Sequence, residues 1–582
     1  MTRFLPILVL FIACSKEGPD TGDTGLGGLD QLPELQITAP ERASFHPPGA
    51  LRVQGQTQVH DAALKSLIIN GIDIQVESTG EFSQILPVSV GLNLLGAHLE
   101  DLAGRSAKDG RAFYWGTALY PGDRVKEGLR LRLGPELLDD NDPDLDDVAT
   151  LIEIAAADDS LAKELEGIAV VDDNYDFILT SLDIGSADVD IDPQNGFLSV
   201  GVDLHDFTMD FDINDIFGIG SLDTNGSAWA STVRLTLDLA LTLNGGQIES
   251  SATQAETSLS GFGLTIDNFP DSLEEYLADW IQDYIQEAAT EALKEQASGL
   301  LVNFIEGMSA DINIGEIAVF TTLNQVEIKP TGIRITADLA SEGADLSHLP
   351  KNAGSPKTPS EPPNWAELPD QPLAVAIDDD LLNQFFFSYW ATGAMEGFEF
   401  SGTELALLAG GPIDAPIGPV SSASLGFMLP PMFRKSNQKE MTGDMGFGEL
   451  RLAISREDGL VQDFSINAWV GTQATLADSG KINFKLESRP EFIPMEIGVL
   501  QSDPTLDPVV LADLIEGMMP SLFERASALA PSFEIPAIPL GETLNVSALS
   551  DLELRLEDAS VALNDDNWLL LGAAVGASES SD

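Results

Sequence analysis

The segment Val233-Arg-Leu-Thr-Leu-Asp-Leu-Ala-Leu-Thr-Leu243 keeps an apolar residue at every second position over eleven residues and then stops at Asn244-Gly245-Gly246. Period-two alternation puts all of those apolar side chains on one face of a strand, and the Asn-Gly-Gly stop tolerates the positive φ that a tight hairpin needs. Phe197-Leu-Ser-Val-Gly-Val-Asp-Leu204 and Phe207-Thr-Met-Asp-Phe-Asp-Ile213 repeat the pattern. The opposite face is Asp, Thr and Ser, so it stays wet. Long antiparallel strands that are dry on one side need an equally long apolar partner.

That partner follows in the sequence. Pro270-Asp-Ser-Leu opens a segment in which Leu273, Leu277, Trp280, Ile281, Tyr284, Ile285, Ala288, Ala292, Leu300, Leu301, Phe304 and Ile305 recur at helical spacing until Gly307. At about 1.5 Å per residue the helix is about 55 Å long, and Gly299 is where it would kink. Strands resume at Ile317–Phe320, Gln325–Ile328 and Ile333–Leu339. A stretch rich in Pro, Ser and Lys, Leu349 to Pro363, reads as a linker. A second unit then opens with Pro372-Leu-Ala-Val-Ala-Ile, leading into a helix capped by Asp378 or Asp379 and carrying Asn383 and Phe385. A shorter helix, Leu511 to Met519, carries Leu514, Ile515 and Met518 and precedes Pro520. Ile535–Gly541 and two last strands, at Leu552–Leu556 and Trp568–Leu571, complete the chain.

The 582 residues carry 94 acidic against 29 basic side chains, a net charge of −65. Such a chain repels phosphate backbones and anionic lipid faces, so no nucleic-acid partner and no electrostatic membrane docking is expected. With 43% hydrophobic residues there is enough apolar surface for several cores, and the length fits three or four domains of about 150 residues. One cysteine excludes an intramolecular disulfide and a cysteine-based zinc site. His46, His60, His98, His205 and His348 are too scattered to form a metal centre. No Gly-x-Ser-x-Gly elbow, HExxH or phosphate-binding glycine loop is present, so a binding protein is expected rather than an enzyme, with no cofactor and no metal. The acidic run Asp139–Asp147 has oxygen ligands enough for calcium but no fixed spacing, and reads as a solvated loop.

Met1 to Ala13 holds Arg3, about ten apolar residues and a small residue before Cys14, the pattern of an export signal. Phe11-Ile12-Ala13-Cys14 resembles the bacterial lipobox, with Phe11 where Leu is usual. That resemblance implies lipidation of Cys14 and, since Ser15 rather than Asp follows, an outer-membrane lipoprotein, periplasmic or surface-facing. An ordinary signal peptide cut near Ala13 is the alternative. Residues 14–34 form a flexible acidic tether; its DTGDTG repeat lacks the glutamate and spacing of an EF-hand loop. Residues 35–116 hold short apolar segments around the hairpin signal Asn70-Gly71, which read as a small β-sandwich. Their order, ending at Asp101-Leu-Ala-Gly104-Arg105, is similar to bacterial Ig-like repeats. The resemblance implies a spacer or adhesive module, which would contact a protein partner.

The larger plan resembles the two-barrel bactericidal/permeability-increasing protein type of the tubular lipid-binding superfamily. The resemblance is carried by Ala374-Val-Ala-Ile-Asp to Asn383-Gln-Phe-Phe, by Thr331 to Leu339 (TGIRITADL) and by Ile535 to Glu542 (IPAIPLGE). It implies an α+β chain with two elongated barrels of long antiparallel strands, each wrapped on a helix, preceded by the small all-β Ig-like sandwich. The barrels would span 120–340 and 371–575, with a Pro-rich linker at 341–370. It also implies a lipid or other apolar ligand held between helix and sheet, bound with or without transfer. Leu277, Trp280, Ile281, Tyr284, Ile285 and Phe304 would line the first site, and Leu514, Ile515 and Met518 the second. Such a groove gains about 0.8 kcal/mol per buried methylene and needs no charged group. The family's disulfide and basic tip have no counterpart here. Taken alone, the helix stripe reads as a core face. The alternative is an adhesion or scaffolding lipoprotein with closed, structural barrels.

Overall fold

The computed structural model describes residues 32–156, 169–172, 175–214, 224–267, 271–308, 311–343, 349, 353–408, 417–476, 481–487, 489, 495–501, 508–527, 533–534, 538–544, 546 and 549–579. Cys14 and the tether as far as residue 31 fall outside them. The chain is mostly β. At its amino-terminal end a three-stranded sheet (Glu34–Ala39, Arg52–Gln58, Glu81–Ile85) faces a five-stranded one. The five are Ser44–His46, Ser106–Trp115, Gly91–Asp101, Leu64–Ile69 and Ile72–Asp73. Ile37, Val53 and Phe82 from one sheet close on Leu67, Ile69, Leu99 and Phe113 from the other. The expected hairpin is there: Asn70 and Gly71 both take positive φ, 48° and 78°.

Next comes an eight-stranded sheet ordered Ile312–Ile314, Ile317–Lys329, Gly332–Gly343, Val125–Leu133, Leu373–Asp378, Trp568–Glu579, Leu552–Leu563, Ile538–Pro539. Leu131 pairs with Ile335 on one side and with Val375 on the other, so strands from either side of the Pro-rich stretch share one ladder. Each long strand serves two cores along one face. Ile333, Ile335 and Ala337 enter the first core while Leu339 enters the second; Val575 enters the first while Leu569 and Leu571 enter the second. Leu129 and Val375 touch both. The two cores therefore do not divide at residues 341–370. A strand with one apolar face can feed two cores end to end, and sequence spacing cannot show which strands lie beside it.

The Pro-rich stretch covers the other face of this sheet. Trp365 and Leu368 pack on Ala374, Ala376 and Trp568. The Arg130 and Arg334 guanidinium carbons each lie 5.4 Å from the centre of the Trp365 ring. Arg130 donates to the Pro363 carbonyl and Arg132 to that of Pro369, both at 2.5 Å. Proline suits an extended cover because it brings no N–H that must find a partner.

Two half-barrel sheets flank the shared sheet, compatible with the α+β expectation of two elongated barrels. The first is ordered Ala169–Asp172, Tyr175–Asp183, Leu198–Asn214, Thr224–Asn244, Gln247–Ser260, with Ser186–Pro193 and Gly263–Ile266 alongside. Thr224–Asn244 runs 21 residues, and Gly245 and Gly246 make the turn at φ 62° and 90°. The helix Asp271–Met308, 38 residues long, packs on this sheet. The second half-barrel is ordered Phe398–Ser401, Val420–Phe427, Gly443–Arg456, Val461–Leu476, Lys481–Leu486, Phe533–Glu534, with Met432–Arg434 and Met495–Gln501 attached. Its helices are Asp379–Ala391 and Pro508–Ser527. The latter continues through Pro520 because burial of Leu522 and Phe523 beyond it outweighs one lost hydrogen bond. The short helix Leu540–Leu544 lies in the first core, against the long helix. Among the described residues, no helix is long and apolar enough to cross a membrane.

Candidate functional site: the seam between the long helix and its sheet

The helical stripe splits into two buried ends and a half-buried middle. Leu277, Ile281 and Ile285 are buried at one end and Ala297, Leu300, Leu301, Phe304 and Ile305 at the other. Ile281 has no exposed surface at all. Trp280 and Tyr284 stack on each other with centroids 5.7 Å apart, and both meet the edge of Phe177, which stacks on Phe211. Burial raises the Tyr284 phenol above its usual range. This aromatic cluster ties the start of the helix to the strands Tyr175–Asp183 and Leu198–Asn214. The residues expected to line the first site therefore belong, in the main, to the packed core.

Between those ends Ala288, Ala289 and Thr290 are only half-buried, and no described residue from Gln286 to Lys294 is fully covered. They run along the strand Gln247–Ser260, whose inward positions Ser250, Ala252, Ala255 and Thr257 are half-buried too. Gln254 takes a left-handed φ of 54° beside a register shift, an extra residue that keeps Ala252 and Ala255 both turned inward. Thr257 and Thr290 join their hydroxyls at 2.6 Å, and Glu306 accepts from the Ile248 amide at 3.3 Å. Small side chains thus meet along both sides of this helix–sheet contact and stay half-exposed there. The sequence signal was the run of small residues in Ser250-Ser-Ala-Thr-Gln-Ala-Glu-Thr257, set opposite Ala288-Ala-Thr290.

In the second half-barrel Ile515 and Met518 are buried and Leu514 is partly buried, beside Leu511, Met519, Leu522 and Phe523. They share a core with Phe385, Phe386, Phe433 and Phe484, whose rings meet edge to face at 5.9 to 6.1 Å. The two expected sets of lining residues thus lie in separate cores, both of which touch Leu129 and Val375 of the shared sheet.

The helix Asp379–Ala391 also carries a buried polar side, Asn383 and Gln384, that its cap and aromatic pattern do not reveal. Asp378 is the cap, accepting from the Asp380 amide at 3.0 Å. Asn383 pairs with the Phe433 backbone in both directions, at 3.1 and 2.7 Å. Gln384 donates to the carbonyls of Tyr120 and Asp123 and accepts from the Ser341 amide, at 2.7 to 2.8 Å. One helix thereby fixes three chain segments from different parts of the sequence. Burial, then the neighbouring Asp378 and Asp380, holds Asp379 well above the carboxylate range, and Asp380 is pushed up to about 7.

No protein-family model matches the chain, and no curated protein matches it. Among solved structures, a lipopolysaccharide binding protein is similar at 13% identity, covering 80% of this chain and 100% of that one with a TM-score of 0.41. P47 of Clostridium botulinum E1 is similar at 10% identity, with 77% and 99% covered and a TM-score of 0.24. Both overlaps are loose, and neither says what this chain binds.

Proposed function

We propose that this chain binds a lipid or another slender apolar ligand in the seam between the long helix and the strand Gln247–Ser260. The half-buried run of small residues in mid-helix carries the reading. An acyl chain laid over Ala288 and Ala289 on one side, and Ala252 and Ala255 on the other, would complete the packing that those side chains leave open. Each methylene taken from water stabilises the complex by about 0.8 kcal/mol. Trp280 and Tyr284 then serve as the rigid aromatic floor at one end of the seam rather than as the groove itself. The role is one of binding, with transfer as its extension, and not of catalysis. Lipidation at Cys14 would hold the chain at the outer membrane, and the amino-terminal sandwich, as an Ig-like module, would space it from the anchor or meet a protein partner.

Ala255→Trp fills the seam from the strand side without adding charge. Loading of a fluorescent fatty acid should fall about tenfold while the melting temperature stays near that of the wild type. Equal loading by the two proteins would remove the seam from the site. Complete burial of Ile281, Phe304 and Ile515 favours the second reading, a scaffolding or adhesion lipoprotein with closed cores. On that reading neither protein takes up the probe.

A further inference from the structure

Asp378, Asp379 and Asp380 are consecutive and all buried, and one carboxylate oxygen from each lies within 4.8 Å of the other two. They sit where the Pro-rich stretch crosses the start of the helix Asp379–Ala391. Thr358 and Ser360 of that stretch supply most of their hydrogen bonds. Ser360 Oγ donates to Asp378 at 2.7 Å, and Thr358 Oγ1 reaches Asp379 at 2.8 Å and Asp380 at 2.9 Å. The Thr358 amide donates to Asp380 at 2.7 Å. Asp379 Oδ2 is buried and has no partner. Among the described residues no lysine or arginine forms an ion pair with any of the three; the exposed Lys357 acts on Asp380 only at longer range.

Three carboxylates turned toward one another out of water, one of them with an orphaned oxygen, form an arrangement that neutral partners alone do not compensate. The donor set is all hard oxygen. Calcium binds such oxygens at about 2.4 Å, so that ligands on opposite sides of one ion stand up to about 4.8 Å apart. We propose that Asp378, Asp379 and Asp380, with the Thr358 hydroxyl, hold one calcium-class divalent cation that clamps the Pro-rich stretch onto the start of the helix. The ion neutralises the cluster and takes the free Asp379 oxygen as a ligand. It fastens the cover of the shared sheet to the second core. The other acidic cluster, Asp140, Asp144 and Asp146, is exposed at Asp140 and Asp144 but also holds a buried oxygen without a partner, Asp146 Oδ1, and is therefore the competing site that Asp144→Asn tests.

The full chain, stripped with EDTA, would be titrated with calcium by calorimetry and melted with and without the ion. One equivalent should bind and raise the melting temperature by several degrees. Asp379→Asn should weaken that binding about tenfold or more and abolish the rise, whereas Asp144→Asn keeps both. In EDTA, Asp379→Asn should melt no lower than the wild type, because an amide of the same shape takes the place of a carboxyl that has no cation paired with it. If Asp379→Asn does not fold, Thr358→Val removes one ligand and the same comparison applies. A wild type indifferent to millimolar calcium, or an Asp379→Asn protein that binds and responds as the wild type does, overturns the site.

Discussion

In the first half-barrel the outer face of the sheet meets water, and in the second it meets the amino-terminal sandwich. Ser186–Pro193 alternates exposed and buried residues from end to end. Gly443 to Leu450 and Gln462 to Thr472, by contrast, are buried without a break. Leu92, Ala112 and Tyr114 of the sandwich pack on Leu429, Met432 and Trp469. Glu449, at 3% exposure, accepts from the Ala112 amide at 2.8 Å, from Ser465 Oγ at 2.7 Å and from Arg42 at 3.2 Å. A Cβ on Gly110 would stand 2.9 Å from the backbone of Ile497, so that strand crossing requires glycine. The first half-barrel thus keeps a wet outer face, while the second is built into a joint with the sandwich. A sheet keeps its acidic skin only where nothing docks on it.

The contrast can be broken at either end. The largest effect is expected from Ile281→Asp, which puts an unpaired carboxylate into the fully buried part of the first core and should cost about 4–5 kcal/mol. Circular dichroism and a melting curve would show the first half-barrel lost; a folded variant that loads probe normally would take that face out of the core. Glu449→Ala should cost about 1–3 kcal/mol, since it leaves the Ala112 amide and Ser465 Oγ without an acceptor at the joint, while Arg42 keeps Asp109 and the Gly110 carbonyl. Hydrogen exchange would then rise across the sandwich and in Gly443–Arg456, with the strands Leu198–Asn214 and Thr224–Asn244 unchanged. Gly110→Val should cost about 1–3 kcal/mol by pushing the sandwich off Ile497, read as earlier proteolysis of residues 34–115. The smallest effect belongs to the wet face. Arg234 pairs with Asp203 and holds its carboxyl below the usual range, yet Arg234→Ala should leave the melting curve almost unchanged, because that guanidinium is exposed. A larger loss in the melting curve would mean that the outer face is not solvent-facing.

The same contrast explains what the sequence could show. Strands such as Thr224–Asn244 announce themselves because water on one side enforces alternation. Gly443–Arg456 and Val461–Leu476 bury both faces and lose the period, so no pattern marked them. The long helix was legible from its spacing, and its stripe included Ala288. That the middle of the stripe would be left half-covered depended on small residues in a strand more than thirty positions away. The sharing of one sheet by two cores was not legible, because Leu129 and Val375 look like ordinary strand residues until their neighbours are known. Nor was the role of Asp378, Asp379 and Asp380, whose first reading was as a helix cap and whose burial comes from Thr358 and Ser360 lying over them.

The most direct test of ligand binding in the first half-barrel is to purify the full chain without detergent, extract it and weigh the extract by mass spectrometry, with Ala255→Trp handled in parallel. About one lipid per chain is expected from the wild type and little from the filled-seam variant. A wild type that repeatedly yields no lipid and takes none up from vesicles or fatty-acid probes would contradict binding and leave both half-barrels as closed structural modules.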